Sequence, residues 1–443
     1  MSVKKLVYLS LSLFVILVLA GFISLRNLYQ PPADEARTVY IKKIGKGYQL
    51  IRNGEPFRIQ GAGGDTYFKE LAEIGGNTIR VFSSSNLKDK LDEAHRHGLA
   101  VIVDIYIPKY NTLNDIFDGK GERLKIQNDI RELVDEHRDH PALLIWNLGN
   151  EIYYPVVFRK NEFIRSFNEL VSMIQEVDPN HPVSTSIIGA SRKVMSSIFT
   201  HSPQLDLVGF NTFGNTTRVN SHVAQVANVF GPRPYFISEL GPDGPWEAIT
   251  TSWGAPIEPT SSVKSIHYSS RNQMVKGGEG SASLGSILFY WGSKLERTHT
   301  WFSLFRDGDK SEIVNVIEAL WKESDNAPEI VGLDYMLLNN KGARDNIILS
   351  PGEAGHAEVF FYDHVNDNLR IEWEIYPEDW YGGNGEFVSN SYSPMDTFIR
   401  SDHNKTLFRT PTKEGPYRIF AYVYNHDGTF ATTNTPFYVL NHQ

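Results

Sequence analysis

Two carboxylates in this chain stand where a strand stops. The run Pro141-Ala-Leu-Leu-Ile-Trp-Asn-Leu-Gly-Asn-Glu151 is apolar and short enough to be one buried strand; it breaks at Gly149 and presents Asn150 and Glu151 at its tip. Pro234-Tyr-Phe-Ile-Ser-Glu-Leu-Gly241 repeats the pattern with a single carboxylate, Glu239, before a glycine turn. Two carboxyl groups flanking one bond can divide acid and nucleophile work. A carboxylic acid protonates the leaving oxygen while a carboxylate attacks the neighbouring carbon, and water later resolves the covalent intermediate. Burial raises the pKa of such a group and a nearby cation lowers it, so the surroundings decide which one holds the proton.

These tips are useful only if they share one face. The two carboxylates are separated by about three βα units of roughly 30 residues each, and in a closed parallel barrel all strands end on the same side. The strand pattern supports such a barrel. Tyr48 to Arg52, the turn Asn53-Gly54 and Pro56 to Gln60 predict a hairpin, whose second arm runs on as barrel strand one and ends in Gly61-Ala-Gly-Gly-Asp65. These glycines lack the Lys-Ser/Thr of a phosphate loop. Strands two to eight follow at Asn77 to Phe82, Ala100 to Tyr106, Pro141 to Glu151, Val183 to Ile188, Leu205 to Asn211, Tyr235 to Ser238 and Gly285 to Trp291. Helical spacing separates them, most clearly in Phe163, Ile164, Phe167, Leu170, Val171 and Ile174, which stops before Asp178-Pro179. The fold class is therefore α/β, a (β/α)8 barrel, with no Gly-x-Gly-x-x-Gly to suggest an open doubly wound sheet. A long connection, Leu240 to Leu284, is expected to shape a cleft.

After Pro328 the helical period gives way to short alternating runs, which predict a small all-β, immunoglobulin-like sandwich with Trp373 between its sheets. The expected organisation is an export segment and linker over 1–35, a catalytic barrel with its hairpin over 36–326, and the sandwich over 327–443. Lys4 and Lys5 precede an apolar stretch from Leu6 to Leu25, and Arg26 follows. That pattern reads as an uncleaved membrane anchor or a signal peptide, with everything after Arg26 outside the cytoplasm.

With 443 residues, 41% of them hydrophobic, the chain can bury a large core. A net charge of −9 without a basic stripe argues against a nucleic-acid partner. The absence of Cys excludes disulfides, thiolate metal sites and a Cys nucleophile. No cofactor or metal is expected at the carboxylate pair; the loop Asp363 to Asn368 has oxygen ligands at calcium-like spacing, although polar turns of this kind more often bind nothing. Ser238 lacks a nucleophile elbow, and His95 and His97, two apart on a helix, read as surface residues. Aromatic side chains can stack on sugar faces; the candidates are Tyr106, Tyr153, Tyr154, Trp246, Trp253 and Trp291.

Ile145 to Glu151 together with Ile237-Ser-Glu239 resembles the retaining β-glycosidases of glycoside hydrolase clan A, especially the barrel of the family that includes β-galactosidase and β-glucuronidase. The resemblance covers roughly Gly45 to Glu323. It implies that Glu151 is the general acid/base, Glu239 the nucleophile, Asn150 a ligand of the sugar 2-hydroxyl, Arg80 the support of the nucleophile and Trp291 the floor beneath the sugar. Arg80 would then keep Glu239 ionised, and burial beside Trp146 or Tyr153 would keep Glu151 protonated. The chain departs from the clan at the end of strand six, where Asn211-Thr-Phe213 replaces the usual Tyr beside the nucleophile. A barrel followed by an immunoglobulin-like domain is also similar to some bacterial endo-β-1,3-glucanases. The implied activity is retaining hydrolysis of a β-linked oligo- or polysaccharide, with β-glucan first, by a monomer. A transglycosylase using the same two Glu and a non-catalytic glycan-binding protein are the alternatives.

Overall fold

The computed structural model describes residues 3–29, 35–108, 120–278, 280–362, 369–378 and 394–441. The chain forms two compact units, one of residues 1–240 with 272–288, the other of 241–271 with 289–443.

In the first unit, β1 (Val39–Ile44), β2 (Gly47–Arg52) and β3 (Glu55–Phe57) make an antiparallel sheet. The turn between β2 and β3 has Asn53 and Gly54 at φ 53° and 81°, the left-handed geometry that Asn-Gly tolerates. Eight strands then close a barrel: β4 (Ile59–Gly63), β5 (Thr78–Val81), β6 (Ala100–Ile105), β7 (Leu143–Asn150), β8 (Val183–Ile188), β9 (Leu207–Thr212), β10 (Tyr235–Leu240) and β11 (Ser283–Phe289). From β4 through β11 each successive pair runs parallel. Strands enclosed on both faces read as near-continuous apolar runs, and β6 is buried at every position. Ile59, Ala100, Ile102, Leu144, Ile145, Leu207, Phe236 and Ile287 belong to one core cluster.

Helices separate the strands. Glu162–Val177 shows why they form where they do: Asn161 caps it by accepting from Ile164 N at 3.0 Å, and Phe163, Ile164, Phe167, Leu170, Val171 and Ile174 are all buried. At its end Asp178 accepts from Trp146 Nε1 at 2.7 Å and is 2.9 Å from His181 Nδ1. Trp146 is thereby committed to Asp178, and the expectation that it sits beside Glu151 is corrected. Val3–Arg26 is a single helix; among the described residues no helix is long and apolar enough to cross a membrane.

In the second unit a short hairpin, β12 (Phe305–Arg306) and β13 (Asp309–Lys310), precedes the helix Glu312–Trp321. The strands β14 (Leu333–Leu338), β15 (Ile348–Leu349), β16 (Ala354–Phe361), β17 (Arg370–Pro377), β18 (Phe398–Asp402), β19 (Lys405–Arg409), β20 (Gly415–Tyr424) and β21 (Phe430–Val439) follow. They form two four-stranded sheets, β14-β16-β19-β18 and β15-β21-β20-β17. Leu333, Val359, Trp373, Phe408, Ile419 and Phe437 share one core. A buried polar network runs through this unit. Lys264 donates to Glu258 at 2.7 Å, Asn434 donates to the other Glu258 oxygen at 2.7 Å, and Arg418 reaches Glu378, Asn434 Oδ1 (2.6 Å) and Pro256 O (2.7 Å). The suggested calcium loop, Asp363 to Asn368, lies outside the described residues.

Candidate active site

The site is built on Arg80, whose side chain is fully buried inside the barrel. An isolated guanidinium there would be prohibitively costly, and its donors are accordingly distributed over three strands. Nε and Nη2 make a two-point contact with Asp104 of β6 at 2.9 and 2.8 Å. Nη1 donates to Ser238 O at 2.7 Å and to Glu239 Oε1 at 3.1 Å, both on β10. Nη2 also donates to Asn150 Oδ1 of β7 at 2.9 Å. Asn150 in turn donates to Glu239 Oε1 at 3.2 Å, so a single carboxylate oxygen receives both a cationic and an amide donor.

Asn211 joins the other carboxylate to this group. It faces Glu239 in the β9–β10 register, and its Nδ2 is 3.0 Å from both Asn150 Oδ1 and Glu151 Oε1. Ser238 Oγ donates to Asn211 Oδ1 at 2.7 Å, which fixes the orientation of the amide. The stretch Asn211-Thr-Phe213 thus carries an amide that holds Glu151.

The tip of β7 turns sharply to present these residues. Gly149 has φ 79°, and a Cβ built there would lie 2.5 Å from Ile152 Cγ2, so only glycine fits. Glu151 itself has φ 53°, a left-handed conformation seldom held by a residue with a side chain. Strain of this kind persists where surrounding contacts impose it; here Ile152 and Tyr154 are buried on the far side of the turn.

Electrostatics alter one expectation. Burial pushes the Glu239 carboxyl up to about 8 against the pull of Arg80, and the negative charges of Glu151 and Asp104 act in the same direction as burial. Arg80 does not simply keep Glu239 ionised, because it faces two carboxylates and makes its two-point contact with Asp104.

The aromatic candidates separate by exposure. Tyr106, just after β6, is 79% exposed, Tyr153 is 50% exposed and Trp246 is 59% exposed, so each offers a ring to solvent. Trp291 is fully buried and meets Phe305 edge-on at 4.9 Å, a packing role rather than an open platform. Trp253 meets Tyr438 edge-on at 5.9 Å; buried Tyr154 is 2.7 Å from Ser202 Oγ and is corrected from a sugar platform to a packing residue.

Several members of the site went unread in the sequence. Asp104 is a lone acid in an otherwise apolar strand, and that oddity was the available signal. Asn147 Nδ2 donates to Asp104 Oδ1 at 2.9 Å, and Asn147 Oδ1 receives Ser184 Oγ at 2.9 Å and Ser186 Oγ at 3.0 Å. Phe158, fully exposed on the loop that leaves Glu151, was also unread. That loop is held by Ser197 Oγ donating to Pro155 O at 2.6 Å and by His201 Nε2, 2.8 Å from Val157 O. Among the described residues no cluster of His, Asp and Glu could hold a metal ion.

Buried Arg80 with two strand-end glutamates, in a closed eight-stranded barrel, defines a class of protein. Residues 80–239 match the family model described as Glycosyl hydrolases family 2, TIM barrel domain. The matched stretch begins at Arg80 and ends at Glu239, and the chain carries a glycoside hydrolase family 2-like TIM barrel. No curated protein matches the sequence. Among solved structures, a calcium-binding mutant of Bacteroides uniformis β-glucuronidase 2 aligns with a TM-score of 0.50 and 14% identity over 91% of this chain and 48% of that one. A GH2 β-galacturonidase from Eisenbergiella tayi aligns at 0.49 and 17% identity over 65% and 55%. The endo-β-1,4-mannanase from Thermotoga petrophila aligns at 0.43 and 15% identity over 88% and 99%. At 14% identity the likeness to the β-glucuronidase is one of fold, and this chain spans about half its length.

Proposed function

We propose that this protein is a retaining β-glycoside hydrolase, with a β-glucan as the first substrate to test. The observation that carries this reading is the shared hold on the two glutamates: Arg80 and Asn150 on Glu239 Oε1, and Asn211 on Glu151 Oε1. Glu239, fixed through one oxygen, attacks the anomeric carbon as the bond to the leaving oxygen breaks. Glu151 delivers the proton that oxygen needs, then takes a proton from the water that releases the sugar from Glu239. Asn150, within reach of Glu239, is suited to bind a hydroxyl beside the reacting carbon. Tyr106 and Tyr153 are candidate contacts for further sugar units.

The reading extends to the rest of the chain. The sheet orders β14-β16-β19-β18 and β15-β21-β20-β17 support an immunoglobulin-like sandwich, since they follow the ABED and GFC arrangement with a split first strand. Lys4 and Lys5 before the apolar run support export, with the first residues of the chain as its signal. The test of the function is the anomeric configuration of the first product. Proton NMR during hydrolysis of an aryl β-glycoside or a β-glucan oligosaccharide should show the β-anomer before mutarotation. Net inversion, or no turnover across β-glucans, β-mannans and β-galactans, would refute it.

A further inference from the structure

Apart from the two glutamates the first unit holds a cavity of about 330 Å³, lined by Ile188 to Lys193 at and after the end of β8 and by Asn215, Arg218, Val219 and His222 after β9. It opens at the same ends of the strands as the candidate active site. Gly189, which lines it, donates its N to Asn211 O at 2.8 Å, and the Asn211 side chain touches Glu151, so Asn211 connects the cavity lining to the candidate acid. The volume falls within the roughly 300 to 1,000 Å³ typical of small-molecule sites.

The charge of its lining is one-sided. Arg192, Lys193 and Arg218 contribute three cations, and no Asp or Glu lines the cavity, on a chain whose net charge is −9. Among the described residues none of the three is paired with a carboxylate; Arg192 donates instead to the neutral amide of Gln225. Arg192 and Lys193 also stand in the first turn of the helix Arg192–His201, where the helix dipole disfavours positive charge. All three are exposed to solvent, and three cations gathered around one cavity with no carboxylate beside them favour an anion there. Gly189 keeps the space open: a Cβ there would lie 2.7 Å from Asn215 Nδ2, and its φ is 57°.

We propose that this cavity is a subsite for an anionic group carried by the glycan, a carboxylate or a phosphate ester, bound next to Glu151. The proposal rests on the carbohydrate reading above and adds the substrate class: an acidic rather than a neutral polysaccharide. Arg218 and Arg192 present forked donors to the oxyanion, and Lys193 adds a point charge.

The test is calorimetric titration of the full chain carrying Glu239→Gln, which removes turnover from the measurement. The probes are a cello-oligosaccharide, its counterpart oxidised to carboxylates at C6, and the same oligosaccharide phosphorylated at C6. A charged probe should bind about tenfold or more tighter than the neutral one, the worth of exchanging a neutral hydrogen bond for a charge-assisted one, and the advantage should shrink with added salt. Whichever charged probe binds tighter identifies the source of the anion. Arg192→Gln with Arg218→Gln should abolish the advantage, and Arg192→Lys with Arg218→Lys should retain part of it. Equal or absent binding of charged and neutral probes, or an advantage that survives the Gln pair, overturns the proposal. Wild-type turnover separates the two ideas. A charge preference without hydrolysis of any β-glycan removes the hydrolase reading and leaves the anion site, whereas hydrolysis without charge preference does the reverse.

Discussion

Asn211 donates its Nδ2 to Glu151 Oε1 at 3.0 Å, and the same nitrogen is 3.0 Å from Asn150 Oδ1. One amide therefore sets the direction of the candidate acid relative to the residue that binds Glu239. Removing it should cost orientation of the proton donor. Asn211→Ala is expected to lower kcat on substrates with poor leaving groups by about 10- to 100-fold, the equivalent of one hydrogen bond to a charged group. An aryl glycoside whose leaving group needs no proton should be affected less in its glycosylation step. Equal losses on both would mean that Asn211 acts on the nucleophile instead.

The pH dependence follows from Glu239. Its carboxyl is pushed up to about 8, first by burial and then by Glu151 and Asp104, while Arg80 opposes the shift. A nucleophile works only when ionised, so kcat/KM should fall as pH drops below that value, and the acidic limb should stand well above the ordinary carboxylate range. Asp104→Asn removes one of the negative charges and frees Arg80 to face Glu239 alone. The limb should then move to lower pH, even if the maximum rate falls. A limb that does not move in that variant would show that Asp104 does not set the ionisation of Glu239.

The barrel was legible because its strands are buried on both faces and most read as short runs rich in apolar and β-branched residues; Ala100–Ile105 falls where the pattern puts it. The two glutamates were legible for a related reason, since a carboxylate directly after such a run has no place in the core. The support around them was harder to read. Asn211 meets Glu239 only through the β9–β10 register, and Asp104 meets Arg80 only after β5 and β6 have paired side by side. Neither relation has a sequence spacing of its own. In the sandwich, β18 is mostly exposed along its length, so its residues show no buried alternation to find. The role of Trp291 was misread because an aromatic near a strand end has the same signature whether it packs or binds.

The second unit should not tolerate loss of its buried ion pair. Arg418 is almost fully buried, pairs with Glu378 and binds Asn434 Oδ1 at 2.6 Å, while Asn434 also serves Glu258. Arg418→Met leaves the Glu378 charge buried without its partner, which typically costs about 3 to 5 kcal/mol. Urea unfolding should show that loss in the transition that reports on Trp373. For the same reason a chain ending near Asn326 should be unstable, because Glu258 and Lys264 lose the strands that complete their network. Folding of that truncated chain with an unchanged midpoint would contradict this.

The loop that leaves Glu151 should matter for long substrates. Tyr153 is half-exposed and Phe158 fully exposed, although Ser197 and His201 hold the loop backbone between them in place. Exposed apolar rings on an anchored loop suit stacking on sugar faces. Tyr153→Ala with Phe158→Ala should raise KM for a polymeric substrate several-fold while leaving turnover of an aryl monoglycoside within about twofold, since surface changes away from packing cost little stability. A matching loss on the monoglycoside would assign the loop to the reacting centre instead.

The two glutamates should finally be distinguishable by their rescue chemistry. Glu239 takes its donors from Arg80 and Asn150, and Glu151 takes one from Asn211, so removing either leaves the other supported. In Glu239→Ala the face from which the nucleophile attacks is vacant. Hydrolysis should vanish for every substrate, and azide entering that space should displace an activated aryl group in one step, giving a glycosyl azide of inverted configuration. In Glu151→Ala the nucleophile remains. An aryl leaving group that needs no proton should still depart quickly to form the glycosyl-enzyme, which then stalls because no base activates water. Azide needs no such base and should attack from the opposite face, so two inversions give a product of retained configuration. This scheme requires the two carboxyl groups to stand about 5 to 5.5 Å apart, too close for water between Glu239 and the anomeric carbon. NMR of the two azide products decides the matter. If the variants exchange their products the roles are reversed, and if Glu151→Ala accumulates no covalent adduct by mass spectrometry the double displacement itself is wrong.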